Sequence, residues 1–183
     1  MKNKRRIDLL VLLLISVVVV SVSAAVYYAM SIQSTSTIGV PAVYFIAGGD
    51  SGGGVCNIGM NNTFARLTLA AYPNVTLYYD QAVNLTATTA KQVQLRHLSI
   101  TPNNDPSVAN FTSIVFRLIR AGGSQVGILT YTTSGTSWTV PSSGSGYVAI
   151  ANGEKLAIKV EILAKAGSKV GVATSIQMAV DVS

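Results

Sequence analysis

Residues 155–164 read KLAIKVEILA. Leu156, Ile158, Val160 and Ile162 fall on one face of an extended chain, with Ala157, Lys159 and Glu161 on the other. Successive side chains of a strand point to opposite sides of its sheet, so this period of two predicts a strand with one buried face. The C-terminal segment repeats the pattern. Val170, Val172, Ile176, Met178, Val180 and Val182 alternate with Gly171, Ala173, Gln177 and Asp181.

Outward from these two segments the same texture recurs. AVYFIA (42–47), FARLTLAAY (64–72), NVTLYYD (74–80), QAVNLTAT (81–88), KQVQLRHLSI (91–100), FTSIVFRLI (111–119), QVGILTYTT (125–133) and TSWTV (136–140) each predict a short strand. Turn signals separate them: Pro73-Asn74, the run Pro102 to Pro106, Gly122-Gly123, Ser142 to Gly146 and Asn152-Gly153. Many short strands with no amphipathic helix between them predict an all-β domain, a β-sandwich of jelly-roll type. One such domain over residues 41–183, without internal repeats, accounts for the chain beyond its N-terminal segment.

The first 25 residues have a different character. A basic cluster (Lys2, Lys4, Arg5, Arg6) precedes an uncharged apolar run from Leu9, which closes on Ser21, Ser23, Ala24 and Ala25. This is the layout of a secretory signal, cleaved after Ala24 or Ala25. An uncleaved membrane anchor, or the retained helix of a type IV-like pilin processed near Arg6, would use the same apolar run. Of the formal charge of +6, residues 1–25 carry a net +3, leaving +3 on the remainder. The remaining bases are dispersed along the chain without aromatic interleaving, which gives nucleic-acid binding little footing.

Catalytic chemistry finds little material. The sequence has one cysteine, Cys56, and one histidine, His97. An internal disulfide, a thiolate cluster and a multi-histidine metal site are therefore all excluded, and no cofactor is expected. The stretch AGGDSGGGV (47–55) contains Gly49-Asp50-Ser51-Gly52-Gly53, which resembles the nucleophile signature of chymotrypsin-like serine proteases. A serine nucleophile needs a histidine base and a carboxylate that orients it, in that family both upstream of the serine. Here the only histidine lies downstream, so a glycine-rich turn is the better reading and a Ser51 hydrolase a remote one. Cys56 reads as a small hydrophobe and His97 as a strand-face residue.

Four Asn-X-Thr sequons begin at Asn61, Asn74, Asn84 and Asn110. Behind a secretory signal they predict an exterior carrying N-linked glycans. In VYYAMSIQSTSTIGV (26–40), Val26, Tyr28, Met30 and Ile32 share one face, and Ser34 to Thr37 follow as a tether. A strand at such a position can be laid into the sheet edge of a neighbouring subunit or pair within its own domain.

A signal, a short strand, a glycine-rich turn and a jelly roll ending in a long alternating strand together resemble the bundling pilins of hyperthermophilic archaea. Those are relatives of the biofilm-matrix protein TasA and of camelysin. The resemblance implies a secreted filament subunit, polymerised with identical copies by donor-strand complementation, for adhesion or biofilm formation. Val26, Tyr28, Met30 and Ile32 would be the donor knobs, and filaments would bundle side by side. The metalloprotease activity described for camelysin relatives does not carry over, since HExxH is missing.

Overall fold

The computed structural model describes residues 41–141 and 143–183. The segments assigned above to a signal (1–25) and to a donor strand and tether (26–40), with the knobs Val26, Tyr28, Met30 and Ile32, lie outside the described residues. The rest is a β-sandwich. Its strands are β1 (Val43–Ala47), β2 (Cys56–Ile58), β3 (Phe64–Ala71), β4 (Thr76–Ala87), β5 (Lys91–Thr101), β6 (Phe111–Arg120), β7 (Gln125–Ser134), β8 (Ser137–Thr139), β9 (Val148–Ile150), β10 (Lys155–Ala164) and β11 (Val172–Val182).

Two antiparallel sheets face each other. One runs β1-β4-β10-β6-β7-β8 and the other β2-β3-β11-β5-β9. The chain changes sheet at every step from β3 to β11 except along β6, β7 and β8, which are successive neighbours in one sheet. Without the short flanking strands β1, β2 and β8, the sheets read β4-β10-β6-β7 against β3-β11-β5-β9. That is the interleaved order of a jelly roll, which lays two Greek keys over one core.

β10, the strand of KLAIKVEILA, lies inside the six-stranded sheet, paired to β4 on one side and β6 on the other. Leu156, Ile158, Val160 and Ile162 are fully buried, as the alternation requires. They meet Leu67, Leu69, Ile176 and Met178 of the opposite sheet in one continuous core. An aromatic group closes one region of it: Phe111 lies 5.3 Å from Trp138, and Tyr131 is edge-on to both Phe116 and Trp138. Beside it a short 3-10 helix, Pro106–Asn110, is capped by the Asp105 carboxylate, which accepts from the Ser107 N–H at 2.7 Å.

The sequence divides 74–80 from 81–88, whereas the structure joins them in β4. The reason is a local irregularity. Between Ile158 and Val160, two residues apart on β10, the partner on β4 moves from Val83 to Tyr79, so extra residues bulge out. The two extra residues leave the inward parity unchanged, from Leu77 and Tyr79 to Val83 and Leu85, but they set exposed Asp80 and Gln81 side by side, and the alternation reads as two strands. β2 and β9 were not expected, because three residues are too few to show a period.

Candidate functional site

The polar groups of the glycine-rich loop bond to nearby backbone. Ser51 Oγ donates to the Gly48 carbonyl at 2.7 Å, inside its own turn. Asp50 continues the pairing of β1: its N–H donates to the Gln81 carbonyl at 3.0 Å, and its carboxylate accepts from the Gln81 N–H at 2.9 Å. Gly53 and Gly54 have positive φ, which glycine adopts without strain. His97 is committed elsewhere. Its Nδ1 lies 2.9 Å from the Tyr131 hydroxyl, bridging β5 of one sheet to β7 of the other. Burial lowers the His97 pKa and raises those of Tyr131 and the Cys56 thiol. Among the described residues, no three of His, Cys, Asp and Glu converge as metal ligands.

The four sequons occupy two kinds of place. Asn61 and Asn74 are exposed on turns, both with positive φ. Asn84 is half-buried within β4, between Ile46 of β1 and Ala157 of β10, and Thr86 of its sequon is buried. Asn110 is half-buried and structural. Its amide nitrogen donates to Ser107 O at 2.8 Å, and its amide oxygen accepts from the Lys169 N–H at 3.0 Å. It thereby ties the β10–β11 turn to the 3-10 helix.

Two surface features stand out beyond these. The first is an open sheet edge. β1 is the last strand of its sheet among the described residues and spans only five. Its partners on β4 run from Ala87 to Val83. Over Thr76–Tyr79 no described strand covers that side of β4, and Tyr72, Val75 and Tyr78 are exposed nearby in sequence. A cleft of about 330 Å³ lies between the sheets at β1, where Val43, Phe45 and Leu85 face Val180 and Val182. Pro41 and Ala42, at the start of the described residues, also line it.

The second feature is a hollow of about 790 Å³ on the outer face of the same sheet, across β4, β10 and β6. Lys159 pairs with Asp80 at 2.6 Å and sits 4.9 Å from the centre of the Tyr78 ring. Arg117 contacts Glu161 at 3.0 Å and Gln125 at 2.8 Å. Arg120 pairs with Glu154 and donates to the Ala149 carbonyl at 2.6 Å. These bases look dispersed in the sequence. The register that sets Lys159 against Arg117 collects them, and only the alternating parity of β6 and β10 hinted at a shared face. No protein-family model matches the sequence, and no curated protein matches it either.

Proposed function

We propose that the protein is the structural subunit of a secreted extracellular filament, and that residues 26–33 of one copy complete the open sheet edge of the next. The apolar cleft at β1 carries this reading. An edge with no partner among the described residues, above a groove lined by Val43, Phe45, Leu85, Val180 and Val182, is an association site unless something covers it. A strand with Val26, Tyr28, Met30 and Ile32 on one face has the chemistry to cover it.

Chain length fits the arrangement. Residues 34–40 reach at most about 25 Å when extended, enough to pass from one domain to the cleft of a neighbour in contact with it. Each buried knob would contribute about 1.5–3 kcal/mol before the cost of ordering the strand is subtracted. The junction is head-to-tail and does not close on itself, so it propagates as a fibre. Cell-surface adhesion or biofilm formation is the use that suits such a fibre, and the Ser51 loop has no catalytic part in it.

Deleting residues 26–33, or combining Tyr28→Asp with Ile32→Asp, is expected to abolish filaments in electron micrographs while leaving a folded β domain. A synthetic peptide of residues 26–33 should bind that domain and raise its melting temperature. Filaments that persist after the deletion would defeat the reading. So would covalent labelling of Ser51 by a fluorophosphonate, which would restore the hydrolase.

A further inference from the structure

We propose that the hollow on the outer face of the six-stranded sheet binds an acidic saccharide. This inference is independent of the filament reading.

The hollow follows from side-chain size. Ala157 sits directly across from Asn84 on β4 and Ile119 on β6, so one row of three strands presents a methyl group at its middle. Long side chains flank this row, and Lys155 and Lys159 project from β10 on either side of Ala157. The result is a dish with a hydrocarbon floor and a polar wall, large enough at about 790 Å³ for a short oligosaccharide.

Charge selects the ligand. Four cations line the hollow, and three of them face carboxylates: Lys159 faces Asp80, Arg117 faces Glu161 and Arg120 faces Glu154. Lys155 makes no ion pair among the described residues. The guanidinium groups of Arg117 and Arg120 are held in place by partners that use only some of their five N–H donors. A carboxylate entering the dish would find Lys155 and two preorganised forks, the geometry that guanidinium groups offer to planar anions.

The remaining groups suit sugar hydroxyls. Gln81 and Asn84 each present both a donor and an acceptor, matching a hydroxyl that is both. Asp80 and Glu161 accept hydroxyl protons but repel densely charged polyphosphate, which disfavours nucleic acid. The exposed ring of Tyr78 and the floor of Ala157 and Ile119 offer apolar surface to the C–H face of a pyranose. Two sources would supply this chemistry: a free acidic polysaccharide, or a glycan carried by the chain itself on Asn84, which lines the dish.

The test uses the full chain made in a host without N-glycosylation, titrated by calorimetry with hexagalacturonate and with maltohexaose. Hexagalacturonate should bind saturably and more weakly as salt is raised, and maltohexaose should bind far less. Lys155→Gln should weaken binding roughly tenfold, the loss expected for one charge-assisted contact. Lys91→Gln, on the other sheet, should leave it unchanged. Absence of saturable binding, equal binding of the neutral hexamer, or an unaffected Lys155→Gln variant with an intact melting profile would each overturn the proposal. Glycosylated protein distinguishes the sources. Binding that appears only with Asn84→Gln assigns the dish to the chain's own glycan, and binding without that change assigns it to an external saccharide.

Discussion

Gly48 stands where the chain leaves β1, and a methyl group there would be driven into the backbone carbonyl of Gln81. Backbone cannot yield as a flexible side chain can, so Gly48→Ala should lower stability by about 1–3 kcal/mol in urea unfolding. Gly52→Ala, in open space two residues past Asp50, should be close to neutral. The contrast explains the loop: part of its glycine content is required by the close approach of β4, without reference to a nucleophile. His97 makes a second residue-scale prediction. Burial lowers its pKa in the folded chain, so near its unfolded value the unfolded chain binds more protons than the folded one. Stability is then complete above about pH 6.5 and falls as the pH drops from there toward the lower folded value. The urea midpoint should therefore decrease between about pH 7 and pH 5, and His97→Gln should flatten that part of the profile. Asp105, held low by the Ser107 hydrogen bonds, acts in a separate and more acidic window.

At the scale of the element, β10 shows how far a local pattern can be trusted. Its parity puts Ile158 in the core and Lys159 on the outer face, paired with Asp80. Ile158→Ala is expected to cost about 2–5 kcal/mol, since it leaves a cavity between two packed sheets. Lys159→Ala should cost less than about 1 kcal/mol, as exposed ion pairs contribute little. Thermal or urea unfolding of the two variants checks the register directly, and similar losses in both would contradict it. β4 shows the limit of such patterns. Its bulge opposite Ile158–Val160 adds two residues and interrupts the alternation at exposed Asp80 and Gln81, and nothing within NVTLYYDQAVNLTAT reports that the strand continues through it. β5 also breaks its pattern, where adjacent Gln177 and Met178 of β11 pair with Ser99 and His97 of β5 and Leu98 between them is left exposed.

For the molecule as a whole, the sequons follow the architecture. Asn61 and Asn74 are exposed on turns, while Asn84 lies inside a paired strand and Asn110 spends both amide atoms on neighbouring backbone. If the folded domain is what is modified, glycopeptide mass spectrometry of native protein should find Asn61 and Asn74 occupied well ahead of Asn84 and Asn110. The opposite order would mean that the sugars are added before the sheets close. The sequence by itself determined the β character, the approximate strands, the turns and the inward face of β10, because each rests on the two-residue period of an extended chain or on the local chemistry of glycine, proline and asparagine. It also identified the isolation of Ser51 from any upstream histidine. Tertiary structure alone decided which strands are neighbours, that Lys159 meets Arg117, that His97 reaches Tyr131 across the sandwich, and that Val43 and Phe45 face Val180 and Val182. Those are meetings between residues far apart in the chain. Their register is set by burial across two sheets at once, and no window of sequence contains both partners.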